Sequence, residues 1–211
     1  MIALQLIEFG AVVVSAIYGI LLASRKKMDF VGLFCVAFAV AFGGGTIRDV
    51  CLDRTPLFWI ANGHYTIVVF CLALVGALFP RLMLALERYL ALPDALGLGL
   101  FSVVGTGYAL EAGTPLFVAA LIGVITGAFG GVIADVICNE VPVIFRPAPL
   151  YATCSFAGAW VYILGERLAW EHSLTVAFSL GTVVFFRLAS LKWNWHLPSV
   201  EHPEAPDGDG G

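Results

Sequence analysis

Seven apolar runs alternate with short polar breaks along the chain, at 3–23, 30–52, 65–83, 90–110, 116–138, 151–168 and 174–189. Each approaches the ~20 residues a helix needs to cross a hydrocarbon core. The pattern predicts an all-α integral membrane protein with seven transmembrane helices. The breaks carry the charge: Arg25, Lys26 and Lys27 follow the first run, and the segment 81–93 joins two halves. The ending EHPEAPDGDGG is polar and rich in Pro and Gly, a composition that predicts disorder over 196–211.

The halves are copies. Residues 44–50 read GGTIRDV and residues 130–136 read GGVIADV, an offset of 86. The same offset pairs Gly19 with Gly105, Ala23 with Ala109, Pro56 with Pro142, Tyr65 with Tyr151 and Phe70 with Phe156. Each copy holds three predicted helices. Three is odd, so the second copy enters the membrane from the opposite side, and the duplication is an inverted repeat. The organisation expected is a first repeat over 1–86, a second over 87–170, a seventh helix within 171–195 and the tail.

The second helix of each copy carries a stripe at four-residue steps, Ala37, Ala41, Gly45, Asp49 in one and Gly123, Gly127, Gly131, Asp135 in the other. Such rows share one helix face and let helices approach closely in lipid, so packing alone is one reading. Three features point beyond packing. Gly43, Gly44 and Gly45, and then Gly130 and Gly131, sit mid-run, where adjacent glycines kink or break a helix. Asp49 and Asp135 lie one turn further on, and an intramembrane carboxylate marks a polar pathway. The arrangement occurs twice with opposite topology, so two interrupted helices should meet near the midplane. Thr46, Arg48, Asp49 and Asp135 are the candidate pore-lining or gating residues.

Arg48 breaks the symmetry, because its counterpart is Ala134. Adjacent residues do not share a helix face, so Arg48 is not expected to pair with Asp49. It has three readings: a partner of Asp135 across the pseudo-axis, a plug in an aqueous path, or an interfacial arginine reaching headgroups. Tyr65, Tyr151, Trp59, Trp193 and Trp195 fit an aromatic belt.

Composition agrees with the membrane assignment. Hydrophobic residues make up 60% of the 211 and charged residues 12%, more apolar surface than a soluble domain hides. No basic region precedes the first run, which is expected to stay as an anchor. The five cysteines have no metal-ligand spacing and read as small core residues with free thiols. No HExxH or GxSxG motif is present, so no enzyme is expected. With the amino terminus outside, eight Lys and Arg fall in cytoplasmic segments against three outside, which orients the chain with its carboxyl terminus in the cytoplasm.

Two three-helix repeats with the motifs GGGTIRDV and FGGVIADV, plus a seventh helix, resemble the prokaryotic TRIC proteins, relatives of the trimeric intracellular cation channels. The resemblance spans about residues 3–190 and includes the repeat known as a "glycine transporter" domain. It implies a homotrimer in a bacterial or archaeal cell (inner) membrane, with a pore in each protomer lined by the second and fifth helices. The five glycines match the kinks of those helices. The function expected is a monovalent cation channel permeable to potassium, with potassium or sodium as permeant ions and no cofactor. Its partners are the lipid bilayer and other copies of the chain, with no nucleic acid. The alternative is a secondary transporter for a small solute such as an amino acid, since inverted repeats also suit alternating access.

Overall fold

The computed structural model describes residues 2–198, so most of the tail, 199–211, lies outside the described residues. Among those described there are helices and no strand. A long helix stands at each of the seven expected places: α1 Ile2–Arg25, α2 Phe30–Cys51, α4 Gly63–Leu78, α6 Ala91–Glu111, α7 Leu116–Ile137, α8 Ala152–Arg167 and α9 His172–Trp193. Two short α-helices, α3 Phe58–Ala61 and α5 Pro80–Leu86, and two single 3-10 turns, Glu87–Tyr89 and Val143–Phe145, complete the order.

The third expected span is shortened. The helix stops at Leu78, and the segment from Pro80 turns away by 98°. Proline lacks the N–H that would continue the ladder, so the chain bends although its apolar residues run on to Met83. Four helices, α1, α2, α7 and α9, are long and apolar enough to cross a membrane by themselves, and α4 with α5 makes a fifth if the bent pair is one span. The remaining two are weaker by composition or length: α6 contains Asp94 and Glu111, and α8 has 16 residues.

Helix ends follow local chemistry. Asp29 caps α2 by accepting from the Gly32 amide at 2.9 Å. Asp53 and Asn139 follow α2 and α7 with φ of 52° and 57°, the left-handed turn that Asp and Asn tolerate. They are 86 residues apart, and the next amides close the same bonds, Arg54 N to Asp49 O and Glu140 N to Asp135 O, both 2.8 Å.

Helices α1, α2, α7 and α6 form a central set of four, with α2 against α7 and α1 against α6. Helix α4 packs on α1 and α2, whereas α8 packs on α6 and α7, and α9 covers α6 and α8. The α2–α7 crossing shows the two-fold character of the repeat. A Cβ on Gly44 would stand 2.1 Å from the Thr126 carbonyl oxygen, and one on Gly130 would stand 2.3 Å from the Val40 oxygen. Each contact maps onto the other under the offset of 86. Small residues also join α6 to α7, where a Cβ on Gly123 would meet Thr106 Oγ1 at 2.1 Å. The outer surface is apolar, with Ile67, Leu78, Phe178 and Phe185 more than half exposed. The interior holds the polar residues, among them Glu8, Arg48, Asp49, Asp94 and Arg187. This polarity suits lipid rather than water as the surrounding solvent.

The glycine segments do not interrupt their helices. Helix α2 runs unbroken through Gly43–Gly45, and α7 through Gly130 and Gly131. The expected breaks, with freed backbone groups, are therefore absent. The missing side chains serve close approach instead, the condition for tight helix packing in lipid.

Candidate functional site

Two charge clusters sit at opposite ends of the central four helices. The chain threads up and down, so the start of α1, the ends of α2, α6 and α8 and the start of α9 share a first face. The ends of α1, α7 and α9 and the starts of α6 and α8 share a second. Side-chain bonds mark both: Arg54 stacks on Tyr108 on the first, whereas Lys26 donates to Glu140 on the second.

The first cluster centres on Arg48, which is 0% exposed. Its Nη1 donates to Glu8 Oε1 at 2.8 Å, from α1. Its Nε and Nη2 donate to Asp49 Oδ1 at 2.9 and 2.7 Å. The guanidinium lies 4.7 Å from the Tyr108 ring centroid and 5.0 Å from that of Phe58, within cation–π range. The second oxygen of Asp49 accepts the Phe58 amide at 2.8 Å, which fixes the short helix α3 beneath it. Arg54 approaches Asp49 at 3.5 Å from the half-exposed rim.

These contacts revise three expectations. Arg48 does pair with its neighbour Asp49, because its long side chain curls back around the helix. It does not reach Asp135, which lies on the other face. Nor does it extend to headgroups, being wholly enclosed. Thr46 stands apart from the cluster: it donates to the Phe42 carbonyl at 2.8 Å and accepts from Trp59 Nε1 at 3.0 Å. It faces an apolar groove of about 560 Å³ between α2 and α7.

The second cluster joins Asp94, Asp135, Tyr151 and Arg187. Arg187 Nε and Nη2 each lie 3.0 Å from Asp94 Oδ2. Arg187 also donates to the carbonyls of Pro149 and Leu150 at 3.3 and 3.0 Å, and its guanidinium lies 4.6 Å from the Tyr151 ring centroid. Asp135 accepts the Val143 amide at 3.1 Å, a near copy of the Asp49–Phe58 bond. Together with Tyr18 and Gly131 these groups line a cavity of about 10 Å³, room for about one water. Tyr65 is 3% exposed, and Tyr151 faces Arg187, so neither tyrosine belongs to an interfacial belt. Cys35, Cys51 and Cys71 are exposed, and only Cys138 and Cys154 are buried as core thiols.

Glu8 and Asp94 are 86 residues apart and occupy the same place in the first helix of each copy. Each meets one buried arginine. The sequence reading missed both acids and the role of Arg187, although the offset that pairs Gly19 with Gly105 also pairs them. On the first face, a cavity of about 410 Å³ lies beside Glu111, Tyr162, Glu166 and His172.

Known proteins share this architecture. A family model described as "Glycine transporter" matches twice, at residues 5–81 and 91–167, again 86 apart. The solved structure of a TRIC trimeric intracellular cation channel orthologue from Rhodobacter sphaeroides superposes with a TM-score of 0.85 at 31% identity, covering 92% of this chain and 100% of that one. A structure from a study of conductance through TRIC cation channels gives 0.85 at 29% identity, with 95% and 98% covered. The chain belongs to the prokaryotic TRIC family. Relatives in this family include a UPF0126 membrane protein of Vibrio cholerae, 34% identical over 93% of this chain and 82% of that one. Another is the UPF0126 inner membrane protein YadS of Escherichia coli K12, 35% identical over 88% and 90%. The TRIC assignment makes this chain a multi-pass membrane protein, and each copy of its duplicated domain holds the acids of one cluster, Glu8 and Asp49 in the first and Asp94 and Asp135 in the second.

Proposed function

We propose that this protein is a monovalent cation channel, permeable to potassium, with a path inside each protomer. The observation that carries the reading is the pair of buried ion clusters, whose acids recur at an offset of 86, capping opposite ends of the central helices. A charge buried in a membrane domain costs several kcal/mol unless it is paired or hydrated, so two such sites at the two ends favour a polar route between them. The TRIC structures that this chain resembles are described as cation channels, which favours conduction over the carrier alternative. No catalytic step or cofactor enters the proposal.

The conformation described is closed. Gly44 and Gly130 bring α2 and α7 into backbone contact, and the second-face cavity has room for only about one water. Opening would separate or bend these helices where adjacent glycines resist bending least. The carboxylates would then favour cations, with modest selectivity among them. The same reading has seven helices crossing the bilayer of a bacterial inner membrane, the amino terminus outside, the carboxyl terminus in the cytoplasm and three copies assembled.

Potassium flux in proteoliposomes tests it. An imposed potassium gradient should collapse faster in vesicles carrying the protein than in empty ones, and replacing chloride by a larger anion should leave the rate unchanged. A rate equal to that of empty vesicles would contradict the reading.

A further inference from the structure

The second repeat lacks an arginine at Ala134, yet its acid Asp94 is paired as Glu8 is in the first. The partner, Arg187, comes from α9, and the duplicated domain ends at 167, before that helix begins. We infer that α9 supplies the guanidinium missing at Ala134, and that Asp94–Arg187 forms a second lock on the path, on the face opposite Glu8–Arg48–Asp49. This inference rests on the channel reading and adds to it a second gate, built from a helix outside the repeat.

The geometry of the pairs supports the substitution. Arg48 meets Glu8 at 2.8 Å and lies 4.7 Å from the Tyr108 ring, whereas Arg187 meets Asp94 at 3.0 Å and lies 4.6 Å from the Tyr151 ring. Each is thus a carboxylate-bound guanidinium against a tyrosine. The placement of the second has a consequence. Arg187 also holds the Pro149 and Leu150 carbonyls, and Ser190 Oγ one turn on donates to Leu150 at 3.0 Å. Helix α9 therefore clamps the connection between α7 and α8 over the small cavity that Asp94, Asp135 and Val132 line. While the pair is made, that end is shut. A small movement of α9 releases it and leaves the α2–α7 crossing untouched. The locks differ in charge: Glu8 and Asp49 face Arg48 and Arg54, whereas Asp94 meets Arg187 and Asp135 accepts the Val143 amide.

Thiol accessibility tests the lock directly. In the full chain with its five native cysteines changed to alanine, Val132→Cys places a thiol beside the cavity. A cationic methanethiosulfonate reagent is applied to the protein in detergent. Removing both charges together, in Asp94→Asn/Arg187→Gln, avoids leaving one of them buried alone. Labelling should become about tenfold faster, the scale of losing the coupling of one contacting pair. Arg187→Lys keeps the charge without the two-armed geometry and should fall between. Ala134→Arg/Arg187→Gln, which returns the guanidinium to the repeat's own helix, should restore the slow rate. Equal rates in the parent, the paired variant and Arg187→Lys would overturn the lock. A fast rate that Ala134→Arg fails to slow would overturn the substitution of Arg187 for an arginine at 134. Faster labelling in a protein that carries no potassium in vesicles would keep the lock and remove the channel reading instead.

Discussion

Adding one methyl group at Gly44 should force apart the two helices that close the molecule. In Gly44→Ala the new Cβ would lie 2.1 Å from the Thr126 oxygen and 2.9 Å from its carbonyl carbon. Ordinary contact begins near 3.4 Å, so the deficit is about 1.3 Å. The obstacle is backbone on a neighbouring helix, which no rotamer change relieves. Moving α2 from α7 even 0.5–1 Å forfeits roughly a quarter to a half of each dispersion contact along the crossing. Overpacking of this kind costs about 1–3 kcal/mol. Alanine returns about 1 kcal/mol of helix propensity, leaving a net loss of up to about 2. Gly181 on α9 is the control, because a Cβ there has no neighbour within 4 Å. Gly181→Ala should stabilise by up to about 1 kcal/mol. The two variants then differ by about 1–3 kcal/mol, roughly 2–12 °C in melting temperature for a chain of this length. Thermal unfolding in one detergent, followed by tryptophan fluorescence, reads the difference. Gly130→Ala, the symmetry mate, should behave as Gly44→Ala does. Equal melting temperatures for Gly44→Ala and Gly181→Ala would refute the close-approach role of the glycines.

Other outcomes follow from the clusters and the loops. Arg48→Gln leaves Glu8 and Asp49 short of their partner and should cost about 3–5 kcal/mol, whereas Glu8→Gln/Arg48→Gln should cost less, as thermal melts will show. Similar losses in both would argue against the pair. Asp135→Asn should shift the reversal potential under a potassium chloride gradient toward lower cation preference, while Asp49→Asn, whose carboxylate is already saturated by Arg48 and Phe58, should shift it little. A larger shift from Asp49→Asn would place the ion path at the first cluster. On the second face, the Lys26 hydrogen bond holds the Glu140 carboxyl below its ordinary 4.5, and the same contact raises Lys26 above its ordinary 10.5. The Glu140 contribution is thus full above its ordinary value and fades as pH falls through the lowered one. That of Lys26 is full below its ordinary value and fades as pH rises through the raised one. The melting-temperature difference between parent and Glu140→Gln should be small near neutrality and vanish in acid. A difference that persists unchanged below that range would contradict the pairing.

Much of the fold was legible from hydropathy and one offset. The seven helices lie within a few residues of the apolar runs, because length and composition settle where a helix forms in lipid. The exception is the third, where the run continues past Phe79–Pro80 but the helix does not: hydropathy records composition, not direction. The glycine stripes did identify the surfaces on which α2 and α7 meet. The expected break does not form, since a row of glycines permits close approach as readily as a break, and only the neighbouring backbone decides between them. The charged site was half legible. Arg48 and Asp49 stand out within an apolar run, but the enclosing partners Glu8 and Tyr108 lie 40 and 60 residues away. Glu8 and Asp94 were visible as a chemically similar pair under the offset. Arg187 was not, because its position near the end of the last run resembles that of any cytoplasmic arginine. Its meaning comes from α9 packing beside the start of α6.

Planar-bilayer recording of the purified protein, with potassium chloride at unequal concentrations across the membrane, measures the proposed conduction most directly. The account predicts discrete unitary currents that reverse near the potassium equilibrium potential, with brief openings set against a long closed state. Currents reversing at the chloride potential, or a bilayer as silent as one without protein, would contradict it.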